Sequence, residues 1–161
     1  MAGKKDRPAH PTATRQRPRG RASNRPGQTS AATLIAPLID DIPGGICLVD
    51  EALRVRVANR AFRTLLALPR RLVEPGSSVI DLIRHNAEFG AYGDIDAESA
   101  IAARLKALRR RRTYSCPLAM PDGRKVELKG APLAAGGYAI IATDVTEQRR
   151  AEELATLAHR R

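Results

Sequence analysis

The sequence predicts an α+β domain: a five-stranded antiparallel sheet with helices packed on one face, a disordered N-terminal tail and a C-terminal exit helix. Three observations carry this. Short strand-like runs occur twice early, at 45–49 and 53–57, and three times late, at 113–119, 125–129 and 138–142. Between the two groups, apolar residues recur instead at helical spacings of three and four. The last strand then passes directly into a charged segment, Asp144 to Arg161, that reads as a helix. Helices between the second and third strands must cross one face of the sheet, which gives a single sheet with a helical lid.

Composition agrees with one domain and its tails. A chain of 161 residues has room for one real core. Apolar residues make up 43% of it but aromatics only 3%, without Trp, so the core is expected to be Leu, Ile, Val and Ala. The net charge of +11 is uneven: residues 1–30 hold eight of the 28 Lys/Arg and one of the 17 Asp/Glu, a net +7, leaving +4 for residues 31–161. Residues 1–30 are rich in Pro, Gly, Ser, Thr and Arg and have little to bury, so disorder is expected there. This tail offers a weak, salt-sensitive contact to nucleic acid or an anionic surface; without interleaved aromatics for stacking, a solubilising tail is the favoured reading. No run approaches the ~18 apolar residues of a membrane span. The basic N-terminus lacks the apolar stretch of a secretory signal, and a cytoplasmic protein is expected.

In chain order, Ser30 is placed to open a helix with Leu34, Ile35, Leu38 and Ile39 on one face. Asp40 to Gly44 ends it, and 45–49 makes the first strand. In the second, Leu53, Val55 and Val57 are expected on one face and Arg54 and Arg56 on the other. Asn59 suits the N-cap of a helix whose apolar stripe is Ala61, Phe62, Leu65 and Leu66. A loop over 69–76 leads to Ser78, the cap of a helix carrying Val79, Leu82 and Ile83. Asp96 with Ser99 begins what reads as the longest helix, with Ile101, Leu105 and Leu108 along it. It ends in Arg109 to Arg112, cations favoured at the negative end of the helix dipole. That cluster, with Arg104 and Lys106, is read as a solvated helix end in preference to a nucleic-acid patch. Pro121-Asp122-Gly123 is hairpin chemistry before the fourth strand, and Gly136-Gly137 reverses the chain before the fifth.

Taken together, the segments LIDDIPGGICLVDEALRVRVANRAF at 38–62, PGSSVIDLIRHNAEFGAYGD at 75–94, PDGRKVELKGAPLAAGGY at 121–138 and DVTEQRRAEE at 144–153 resemble a PAS domain of bacterial signalling proteins. The similarity covers about residues 31–153, and the second segment is similar to a subtype found ahead of sensor histidine kinases and diguanylate cyclases. It implies a PAS domain at 31–146 and a signalling helix, coiled-coil-like, at 147–161. It also implies that Asp144 and Thr146 tie the last strand to the start of that helix and so transmit a signal. Covalent flavin is disfavoured, because Cys47 and Cys116 fall on strands and no Gly-Arg-Asn-Cys-Arg-like helix occurs. Haem held by His85 on a lid helix is chemically feasible, but a partly exposed helix residue is the preferred reading, and no cofactor is the expectation.

Other chemistry is missing from the pattern. There is no glycine-rich phosphate loop, GxSxG elbow, HExxH pair, kinase signature or Cys/His cluster, and no internal repeat. Two cysteines do not make a disulfide framework, so buried thiols are expected. No catalytic residue is named, and His159 is read as an ordinary helix-end residue. The expected function is a non-catalytic sensor or interaction module that relays ligand or partner binding through its C-terminal helix. Leu53, Val55, Val57, Phe62, Leu66, Ile83, His85, Leu105, Val126, Leu128 and Ile140 are its candidate cavity residues, although for each ordinary core packing is the favoured role. One alternative is the detached or truncated N-terminal sensory part of a histidine kinase or diguanylate cyclase; a second is a nucleic-acid-associated protein acting through the basic tail. A homodimer is expected, because Leu154 and Leu157 on the exit helix would otherwise stay exposed. A kinase, cyclase or regulator is expected as partner, as in two-component signalling.

Overall fold

The structure, a computed structural model, describes residues 31–160. The expected disorder of residues 1–30 and the cap at Ser30 lie outside the described residues, as does the side chain of Leu34. Helix α1 (Ala31–Asp40) leads into strands β1 (Gly45–Val49) and β2 (Val55–Ala58). Helices α2 (Arg60–Leu65), α3 (Val79–Glu88) and α4 (Ala97–Arg109) follow, with a single 3-10 turn (Arg70–Leu72) inside the expected loop. Strands β3 (Tyr114–Ala119), β4 (Lys125–Pro132) and β5 (Tyr138–Asp144) complete a five-stranded sheet, and α5 (Thr146–His159) leaves it. The sheet order is β2-β1-β5-β4-β3 and every neighbouring pair is antiparallel. The α+β architecture is therefore as the sequence predicts, and β5 lies at the sheet's centre, between β1 and β4.

The second strand departs from expectation. It begins at Val55, because Leu53 sits in a turn with φ of +59° and its neighbour Ala52 is exposed. Register then slips: Leu48 faces Val57, but Val49 faces Val55, so β2 carries one extra residue in a bulge. Val57 is consequently turned away from Val55. It is buried, yet on the opposite face from the main core, where it lines a groove with Ile35 and Leu48. The expected common face for Leu53, Val55 and Val57 is thus broken by a turn at one end and a bulge at the other. The longest described helix is α5, with 14 residues against 13 in α4.

Local chemistry explains the joins. Asn59, 2% exposed, uses its whole side chain. Its Oδ1 accepts from the backbone N–H of Ile46 and of Phe62, each at 2.9 Å. Its Nδ2 donates to the carbonyls of Ile39 and Gly44, at 2.9 and 3.0 Å. One amide thereby binds the end of α1, the start of β1 and the first turn of α2. Gly45 allows that turn to sit tight on β1, since a Cβ there would lie 2.6 Å from Phe62 Cα. Ser78 and Asp96 cap α3 and α4 as expected, accepting from Ile80 and Ser99. The Tyr138 hydroxyl donates to the Leu108 carbonyl at 3.0 Å, anchoring the C-terminal end of α4 on β5.

The core lies between the sheet and α2, α3 and α4. Phe62, Leu66, Val55, Val126 and Cys47 are its most enclosed side chains. As composition predicts, it is mostly aliphatic. Burying side chains of this size stabilises the fold by about 1.5–3 kcal/mol each relative to exposure.

Candidate functional site

Two arrangements stand out once the core is set aside: a joint where β5 becomes α5, and a cleft between α4 and β3. At the joint, Asp144 Oδ1 accepts from the Thr146 N–H at 2.9 Å and from the Thr146 hydroxyl. The Thr146 oxygen in turn accepts from the Lys125 N–H at 2.9 Å, and the Val145 N–H donates to the Lys125 carbonyl at 2.8 Å. Lys125 is the first residue of β4, so the neighbouring strand grips both residues that begin the helix. Its ammonium also pairs with Glu153, two turns along α5. The cap position itself belongs to Val145, whose side chain is apolar and buried. The carboxylate of Asp144, one residue earlier, supplies the acceptor instead. Hydrogen bonds from the Thr146 hydroxyl and amide hold the Asp144 carboxyl below its usual range, and the Lys125 ammonium does the same for Glu153.

Beyond the joint, α5 buries none of its side chains. Leu154 and Leu157 are exposed, as are Ile35, Leu38 and Ile42 near the other end of the described chain and Ile141 on β5.

Most candidate cavity residues come together as core. Val55, Phe62, Leu66, Ile83, Val126, Leu128 and Ile140 are buried in one cluster, with Leu53 and Leu105 partly buried against it. Val57 is not among them, for the reason given above. His85 is half-buried, and its ring stacks on Phe89 with centroids 4.4 Å apart. Its Nε2 is enclosed, with no partner among the described residues, as is Nδ2 of the neighbouring Asn86. His85 lines neither the groove beside Val57 nor the cleft between α4 and β3. Cys47 and Cys116 are free, buried thiols on β1 and β3. Burial pushes Cys47 up to about 12. Cys116 is also raised by burial, against the opposing charge of Arg104. Among the described residues no group of three or more His, Cys, Asp or Glu is placed to hold a metal ion.

The cleft holds the residue that sequence reasoning misplaced. Arg109 to Arg112 are exposed, as expected of a solvated helix end, but Arg104 is not one of their kind. It is half-buried, with its guanidinium carbon 5.6 Å from the Tyr92 ring centre and 5.2 Å from that of Tyr114. Tyr114 can lie flat across the sheet because it faces Gly130 on β4, where a Cβ would come within 2.2 Å of the ring. The cleft has a volume of about 230 Å³ and is lined by Tyr92, Ile95, Ala100, Ala103, Arg104 and Pro117, with Ser99 and Cys116. Burial raises both tyrosine hydroxyls above their ordinary range, again opposed by Arg104. A tyrosine 12 residues before the arginine and another ten after it gave no periodic signal; only the fold brings them together.

The family described as PAS fold matches residues 39–153. Among solved structures, the chain is similar to the PAS domain of BvgS from Bordetella pertussis, at 20% identity and a TM-score of 0.52, over 78% of this chain and 93% of that one. It is also similar to the PAS domain of an HTR-like protein from Haloarcula marismortui, at 20% identity and a TM-score of 0.41, over 66% and 90% of the two chains. A third is the PAS domain of the Cronobacter turicensis RpfR quorum-sensing receptor in complex with BDSF, at 15% identity and a TM-score of 0.45, over 67% and 99%. At such identities the likeness is one of fold. No curated protein matches the sequence.

Proposed function

The chain belongs to the PAS fold family, and on that premise we propose that it is a non-catalytic sensor or interaction module of bacterial signal transduction. In this reading it is of the subtype found ahead of sensor histidine kinases and diguanylate cyclases. Binding of a ligand or partner at the sheet-and-lid body is relayed through α5 to a kinase, cyclase or regulator.

The observation that carries this reading is the joint. Lys125, Thr146 and Asp144 fix the first turn of α5 to the two strands β4 and β5, while nothing past Glu153 touches the sheet through an ion pair or hydrogen bond among the described residues. A helix clamped over its first half and bare beyond it turns a small shift of its base into a larger displacement at its tip. The strand at that base runs through the centre of the sheet, where Ile140 and Ala142 are part of the core. Any rearrangement of the core therefore has a short mechanical route to α5.

The bare length of α5 is the output surface, and its exposed Leu154 and Leu157 pair in a homodimer. Light scattering on the full chain tests this. The chain is expected to be a dimer at micromolar concentration, and the double variant Leu154→Glu, Leu157→Glu a folded monomer by circular dichroism. A monomeric parent chain would contradict the reading.

A further inference from the structure

We propose that the cleft between α4 and β3 binds a small amphiphile with a carboxylate head, and that Arg104 receives the carboxylate. The inference rests on the sensor reading, because it names the class of ligand such a module would take up.

Arg104 is the starting point. Charged groups withdrawn from water are ordinarily paired. The other half-buried arginines and lysine are paired: Arg84 meets Asp81 and Glu98, Arg124 meets Asp122, and Lys125 meets Glu153. Arg104 is half-buried, yet no carboxylate among the described residues lies within ion-pair distance of it. What it has instead is two aromatic neighbours, the rings of Tyr92 and Tyr114. Its N–H groups have the Tyr92 hydroxyl and the Cys116 thiol beside them, but no anion among the described residues. Those N–H groups form a planar fork that matches a carboxylate in two parallel hydrogen bonds.

The remaining lining sets the other half of the ligand. Ile95, Ala100, Ala103 and Pro117 make an apolar wall, and Ile95 is 54% exposed at its rim. A short hydrocarbon chain would cover it. The volume of about 230 Å³ lies below the range of about 300–1,000 Å³ occupied by drug-sized ligands, so a short chain is what fits. Ser99 does not compete for the head group, since its hydroxyl already donates to Asp96 at 2.7 Å. The Tyr92 hydroxyl, its titration raised by burial, stays protonated at neutral pH and adds no negative charge to the cleft. An amine head would meet the like charge of Arg104.

The test uses the full chain with hexanoate, hexanol and hexylamine as probes. Binding is followed by calorimetry and by the NMR signal of the Arg104 Nε–H group. Hexanoate is expected to shift that signal and to bind about tenfold or more tighter than hexanol, the size of a charge-assisted hydrogen bond. Hexylamine is expected not to bind. Arg104→Gln should abolish the preference of hexanoate over hexanol, and Arg104→Lys should retain part of it. Equal binding of hexanoate and hexanol by the parent chain overturns the carboxylate assignment, and hexanoate shifts confined to other parts of the chain overturn the site. If Arg104→Gln does not fold, the probe ratio and the Arg104 signal in the parent chain still decide. None of these outcomes bears on pairing through α5, which light scattering reads separately.

Discussion

The inner face of the sheet is closed by α2, α3 and α4, and side chains from all five strands meet there in one cluster. The outer face is treated differently. Ile46 and Leu48 on β1 are only half-buried, Ile141 on β5 is 46% exposed, and α1 covers mainly β2, where Val57 is buried beneath it. The apolar area on the inner face has been used to hold the protomer together. The area on the outer face, with that on α1 and α5, stays exposed among the described residues. One face specifies the fold, and the other leaves apolar side chains exposed.

Substitutions on the two faces should therefore behave differently. The largest effect is expected at Phe62, fully buried beneath Gly45. Phe62→Ala should lower unfolding stability by about 3–5 kcal/mol in denaturant titration, by lost transfer energy and the cavity left behind. Next comes Asn59, whose removal strands the amides of Ile46 and Phe62. Asn59→Ala should cost about 1–3 kcal/mol, loosening α1 as well as α2. A smaller effect is expected from acid at the joint. The folded Asp144 carboxyl titrates below its unfolded value, so its contribution is present above the ordinary carboxylate range and is lost as pH falls through the folded value. Because Asp144 is exposed to solvent, that contribution should stay below about 1 kcal/mol, and Asp144→Asn should reduce the slope while leaving the part supplied by Asp96, Asp122 and Glu153. On the bare surface, Leu157→Glu should change the stability of the dilute protomer by less than about 0.5 kcal/mol. Its effect belongs in the association constant. A large loss of protomer stability from Leu157→Glu would erase the contrast between the two faces.

How far this was legible in the sequence depended on the range of each interaction. Period and turn chemistry placed the strands and the main helices, because alternation, capping pairs such as Asp96 with Ser99, and Gly136-Gly137 act over a few residues. Asp144 with Thr146 was legible for the same reason, being two residues apart, with the family resemblance naming their role. Lys125, the third member of the joint, lies 21 residues earlier and joins it only because β4 pairs with β5. Val57 was placed on the wrong face because alternation assumes a regular strand, and the bulge between it and Val55 leaves no mark in composition. Arg104 was grouped with Arg109 to Arg112 by charge, whereas what distinguishes it is two rings brought in from the α3–α4 connection and from β3. Asn59 read correctly as a cap, but its hold on Ile39 and Gly44 depends on the tertiary fold.

The claim on which the account turns is that α5 is tied to the sheet through Thr146 and moves with it. Hydrogen exchange on the full chain and on Thr146→Val measures this directly, since valine keeps the shape but removes the hydroxyl that links Asp144 to Lys125. Faster exchange is expected across the first two turns of α5 and at Lys125, with the amides of β1 and of α3 unchanged. Unaltered exchange in α5, or an equal loss of protection throughout the sheet, would contradict it.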